Sequence, residues 1–273
     1  MQTTKLKKFS GFIFDDFQIM KKLKRSYSLK ISIKFFLIVF FILLPVINNL
    51  LVSQIVLNSY AEIGSNATSQ GIYGNYSAQI SAQKGSFSVS TGALFTFSNA
   101  SDYVLSAYSL QIGNDFKSRY LPVNIGAFFI WKPISNEMRE TNFGLLADYR
   151  IQHWGIKLGA NTRFYSFTQA AIKQYNFADS IHTSFWEPIN LMYKISYFHG
   201  FNPKFNLEAS ITNYDRYFIQ QETNPMILLN LNYKVNNGLQ FYSELGYMQA
   251  GLLNLHVNYF GVYLRGGVIW KIN

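Results

Sequence analysis

His182 and Ser184 stand two apart in "IHTSF", a spacing that would let a histidine base serve a serine nucleophile in acyl transfer. That chemistry also needs an Asn or Glu to orient the histidine, and none follows at a fitting interval on the next alternating segment. The plainer reading is a polar loop that contains a His and a Ser. The two residues are therefore the only catalytic candidates, and no catalytic role is assigned. His153, His199 and His256 fall at no metal-ligand spacing, so neither a metal nor a cofactor is expected. The glycines of "GSFSVSTG" precede no helix, and phosphate binding is not suggested. Nine charges form a denser set: Asp148, Arg150, Lys157, Arg163, Lys194, Glu208, Lys234, Glu244 and Arg265. Six cations against three anions could form a ladder that favours anionic solutes. They could equally form a salt-bridge network that fills and stiffens a narrow interior.

The elements that must position these charges have a two-residue period. In "GSFSVSTGALFTF" (85–97), Phe87, Val89, Phe95 and Phe97 alternate with Ser86, Ser88, Ser90 and Gly92. Twelve such segments are read, at 55–63, 71–82, 85–97, 103–113, 120–131, 142–151, 154–165, 187–198, 204–214, 226–235, 239–248 and 260–271, with no helix. Most have the length of a tilted bilayer-crossing strand. Short connections ("QK", "QH", "HGFNP", "NNG") alternate with long ones ("KPISNEMRET", "DRYFIQQETNP", "QAGLLNLHVNY"), as in a barrel with short turns at one end and long loops at the other. A two-residue turn at Gln152 and His153 pairs Ile151 with Trp154 and Phe143 with Thr162 on the oily face. It sets Asp148 opposite Lys157 on the other. A three-residue turn "NNG", with Gly238 left-handed, sets Val235 opposite Leu239 and Ile227 opposite Tyr247.

All nine charges share the face of small and polar residues. A soluble surface would carry roughly a quarter to a third charged residues, whereas residues 54–273 have 27 in 220. The oily face is therefore expected to meet lipid and the small polar face to line a lumen, into which Leu94, Leu146, Leu228 and Tyr242 also point. Asn213 falls on the oily face as an exception, and aromatic residues near strand ends, Trp154, Tyr214 and Trp270 among them, suit the two interfaces.

The net charge of +10 does not indicate nucleic acid, because residues 1–53 hold nine Lys/Arg and two Asp/Glu and account for +7 of it. Basic residues Lys21–Lys34 precede "FFLIVFFILLPVI", the pattern of a secretory signal peptide, with the start at Met1 or Met20. Domains are set at 1–53 (N-terminal extension and signal peptide) and 54–273 (barrel). The chain has no cysteine and so no disulfide.

With signal, alternating strands, loop asymmetry and a terminal strand "FGVYLRGGVIWKIN", the chain resembles outer-membrane β-barrel proteins of Gram-negative bacteria. Its Tyr, Phe, Asn and Lys content resembles barrels of the Bacteroidota type. The resemblance implies a location in the bacterial outer membrane with both termini periplasmic. It also implies contact with the lipid bilayer and the barrel-insertion machinery, although Trp270 rather than the last residue is the terminal aromatic. Outer-membrane phospholipases and lipid A deacylases carry a His-x-Ser spacing, but here Phe185 and Trp186 stand where the phospholipases have Asn-Gly. The expected function is a narrow passive channel for small solutes, anionic ones if the basic residues form a ladder. The alternative is a closed structural or partner-binding barrel whose long loops work outside. A lipid acyl hydrolase comes third.

Overall fold

The computed structural model describes residues 54–66, 71–97, 105–117, 122–175, 184–220, 222, 224–250 and 259–272. The signal-peptide and start-site expectations concern residues outside this set, as do His182 and His256. Twelve strands form one closed antiparallel barrel in which each strand pairs with its sequence neighbours and the last pairs with the first. They are β1 (Gln54–Asn66), β2 (Ile72–Lys84), β3 (Phe87–Thr96), β4 (Leu105–Lys117), β5 (Pro122–Pro133), β6 (Met138–Ile151), β7 (Trp154–Phe167), β8 (Ser184–Asn202), β9 (Phe205–Thr212), β10 (Met226–Lys234), β11 (Leu239–Ala250) and β12 (Tyr259–Ile272). Every expected strand is present. A short helix, α1 (Gln169–Tyr175), was not expected. It follows β7, and the Thr168 hydroxyl accepts the Ala171 N–H at its start.

Closure gives every strand two neighbours around the ring and satisfies most of its backbone within the wall, which a bilayer requires. Side chains then alternate. On β6 and β10, Phe143, Leu145, Ile227 and Leu229 are exposed outside, while Asn142, Met226 and Leu228 are buried within. Such an outer surface suits lipid rather than water, and charges on it stay near strand ends, as with Arg139, which lies over the Trp131 ring.

Register follows the pattern. The β6–β7 hairpin pairs Ile151 with Trp154, Asp148 with Lys157 and Phe143 with Thr162. Its two-residue turn puts Gln152 at a φ of 46°. Between β10 and β11, Ile227 lies opposite Tyr247 and Tyr233 opposite Phe241. There the expectation for Gly238 is corrected, because among the described residues only Gly71 and Gly85 are glycines of positive φ. The Asn236 side chain closes that turn instead, accepting the N–H groups of Gly238 and Leu239 at 2.8 Å each.

The two ends differ. The start of β1, the end of β12 and the tight turns Gly85–Ser86, Gln152–His153 and Pro203–Lys204 share one, here termed the terminal end. At the opposite end β7 leads into α1 and β9 into the segment Asn213–Gln220.

Candidate functional site

The lumen is occupied by the chain itself. β9 stops at Thr212, two residues earlier than the pattern suggests, and the connection to β10 turns inward as a hairpin. Gln220 donates its N–H to the Asn213 carbonyl at 2.7 Å, Tyr214 bridges Ile219, and Asp215 donates its N–H to the Phe218 carbonyl at 2.9 Å. Asn213 is fully buried at the hairpin's base. Its amide donates to the Leu191 carbonyl at 2.8 Å, and its side-chain oxygen accepts the Tyr193 N–H at 2.9 Å. The expected outward Asn213 and interfacial Tyr214 are thereby corrected: the first ties the hairpin to β8, and the second packs inside beside Phe128 and Ile130.

Each residue of the hairpin tip meets its own part of the wall. The Asp215 carboxylate accepts from Arg265 Nη2 on β12 at 2.7 Å. Arg216 donates to Gln79 Oε1 on β2 at 3.0 Å. The Tyr217 hydroxyl bonds Ser77 Oγ on β2 at 2.7 Å and reaches the Ala93 carbonyl on β3 at 3.3 Å. Phe218 packs against Met226, Leu228, Met248 and Tyr263, and Ile219 against Phe128, Ile130 and Met192. The Ile219 carbonyl accepts from Arg163 Nη2 at 2.8 Å. A hairpin rooted at β9 and β10 therefore spans the lumen to β2 and β3.

Two arginines organise the charges around it. Arg265, 5% exposed, donates to Glu62 Oε2 at 2.7 and 3.0 Å and to Glu244 Oε1 at 2.8 Å, besides Asp215. Its guanidinium lies over the rings of Tyr60 and Tyr263, at 4.2 and 4.9 Å. Paired carboxylates and stacked rings are what a desolvated guanidinium needs. Arg163 lies 3.3 Å from Glu140 and 3.5 Å from Glu187, and Lys132 holds the other oxygen of Glu140 at 2.9 Å. Nearer the terminal end, Lys157–Asp148 and Lys194–Glu208 close at 2.8 Å each. Arg150 lies 4.0 Å above the Phe198 ring. Of the six cations singled out in the sequence, four thus hold carboxylates. Asp148, Glu208 and Glu244 are their partners, joined by Glu62, Glu140, Glu187 and Asp215.

An amide chain links the terminal end to this centre. Gln240 donates to Asn232 at 2.6 Å, Asn232 to Asn230 at 2.6 Å, and Asn230 to Glu244 at 3.2 Å. It begins at an open cavity of about 480 Å³ lined by Arg150, His153, His199, Glu208, Asn232 and Gln240. This brings together two histidines far apart in sequence. His153 Nδ1 lies 3.2 Å from the Phe198 carbonyl, and no group of three or more metal-ligating residues occurs among the described residues. Ser184 opens β8, exposed and opposite Ser166 of β7.

No protein-family model matches the chain, and no curated relative does. Solved structures share the barrel form. The KdgM porin in complex with disordered oligogalacturonate is 12% identical, with 80% of this chain and 99% of that one covered and a TM-score of 0.48. For the translocator domain of autotransporter NalP from Neisseria meningitidis the figures are 13%, 81% and 88%, and 0.45. For outer membrane phospholipase A from Escherichia coli they are 8%, 80% and 95%, and 0.42. At these values the likeness is one of fold and says nothing of activity.

Proposed function

We propose that the chain is an outer-membrane channel for small solutes, shut at rest by the hairpin Asn213–Gln220. The supporting observation is the hairpin's construction. It spans the lumen, yet polar groups hold its tip at Arg265, Gln79 and Ser77, and such contacts can exchange for water. A polar cavity and an amide-lined wall lead up to it from the terminal end. In this reading residues 1–53 include the export signal, the termini are periplasmic, and the terminal strand is read by the insertion machinery. An anion preference would rest on Arg150 and Lys234, because the other four cations singled out are paired with carboxylates.

Planar-bilayer recording tests the proposal with the wild type and a variant whose residues 214–219 are replaced by a short Gly-Ser turn. Rare openings in the wild type and steady ohmic steps in the variant are expected. Silence from both, with the barrel folded, would favour the closed barrel with working loops. Equal conductance from both would remove the hairpin as the gate.

A further inference from the structure

The barrel wall is incomplete beside the hairpin. β9 has 8 residues and β10 has 9, against 19 in β8 and 12 in β11. At the terminal end these four strands finish together, through the pairs Asn202–Phe205, Phe205–Tyr233 and Lys234–Gln240. The whole deficit therefore falls at the opposite end. Eight residues at about 3.3 Å each and a tilt of roughly 40° rise about 20 Å, short of an apolar band of about 25 Å. β8 runs on past this notch, pairing with β9 only from Lys194 to Asn202.

Backbone at that depth must be satisfied by protein, and side chains from the hairpin's connection do so. Asn213 serves the Leu191 carbonyl and the Tyr193 N–H, and the Glu222 carboxylate accepts the Leu191 N–H at 2.6 Å. The rim is apolar and continuous with the lipid-facing surface: Trp186, Ile189, Leu191, Ile211 and Ile227 are all exposed, Ile189 by 77%. Apolar side chains also stand immediately behind the hairpin, where a watery lumen would have polar ones. Phe128, Ile130 and Met192 are buried there around Ile219.

We infer that this notch is a lateral passage between lumen and bilayer, closed by the same hairpin and suited to amphiphiles that carry an acyl chain. The inference rests on the reading of the chain as a membrane channel. Withdrawal of Ile219 would leave a slot joined to the lipid-facing rim, with Phe128, Ile130 and Met192 on its apolar side and the Arg163 guanidinium on its polar one, as an amphiphile requires. A passage for hydrophilic solutes alone would need no such lining. The occupant follows from continuity with lipid: an acyl chain can slide along an apolar rim without entering water.

The chain has no cysteine, so a single Met192→Cys can carry a bimane label without ambiguity. The label is followed in vesicles, in otherwise wild-type barrel and in Asp215→Ala/Tyr217→Ala, which loosens the hairpin. Two quenchers are compared, a stearate with its nitroxide deep on the chain and a water-soluble nitroxide carboxylate. Loosening should raise quenching by the stearate severalfold and more than quenching by the soluble probe. Quenching by the soluble probe alone would overturn the lateral passage while leaving an axial channel intact. Quenching by neither, with steady conductance, would also overturn it. If the label at Met192 prevents folding, seen as loss of heat-modifiable migration, Phe128→Cys reports on the same pocket.

Discussion

Asp215→Ala is the perturbation that cuts the hairpin's ionic tie to the wall. Arg265 keeps both bonds to Glu62 and its bond to Glu244 in this variant, so no charge is left buried alone. Between hairpin and β12 one charge-assisted hydrogen bond of 2.7 Å is lost, and within the hairpin the Arg216 N–H loses its bond to Asp215 Oδ1. The first contributes about 1.5–3 kcal/mol net. At about 1.4 kcal/mol per tenfold, the open population of the hairpin should rise roughly 10- to 150-fold. Single-channel recording reads this directly as open probability, with unit conductance unchanged. Barrel stability, followed by urea unfolding in vesicles, should fall little, because the strand ladders do not involve Asp215. Arg265→Met is the contrasting variant. It leaves Glu62, Asp215 and Glu244 without their cation, and breaking a buried pair this way costs about 3–5 kcal/mol of the whole fold. If Asp215→Ala left open probability unchanged, or lowered stability as far as Arg265→Met, the hairpin would be part of the core rather than a gate.

Three further outcomes follow from named contacts. Tyr217→Phe removes the hydroxyl that bonds Ser77 and the Ala93 carbonyl, and about 1 kcal/mol lost there should raise open probability severalfold, less than Asp215→Ala does. Leu145→Arg puts a charge on the lipid face near the middle of β6, and urea unfolding should register a loss of about 2–4 kcal/mol. Gly246→Ala would drive a Cβ into the ring of Tyr263, which is 2% exposed and cannot retreat. A loss of about 1–3 kcal/mol is expected, together with a weaker Tyr263–Glu244 bond.

The strands and two of their registers were legible because barrel pattern is local: a two-residue period declares a face, and a tight turn fixes what lies opposite. Asp148 and Lys157 are nine residues apart across such a turn, and their pairing was readable. Glu62 and Arg265 meet only because β1 closes on β12, and nothing in either segment states how the ring closes. Glu140 lay just outside the strand as read from 142, although its parity with Asn142 would have turned it inward. Asp215, Tyr217 and Ile219 stand in a segment with no periodicity, and nothing local states whether it folds inward or outward. Only composition gives a sign, in hindsight: the run "DRYFIQQ" has more aromatic and aliphatic character than an exposed loop requires.

These differences in legibility follow from how the protein divides its work. The wall must be satisfied strand by strand inside a bilayer, so neighbouring residues carry its rules. The hairpin's polar anchors lie far off in sequence, at Arg265, Gln79, Ser77 and Arg163 on other strands. Those polar contacts belong to no strand ladder, so in the proposed channel the hairpin's departure would leave the ladders intact and cost the apolar burial of Phe218 and Ile219. Were it instead a packed plug on which the ring depends, its removal would unfold the barrel. The Gly-Ser variant separates the two cases by one measurement, since a channel needs that barrel to remain folded and conduct.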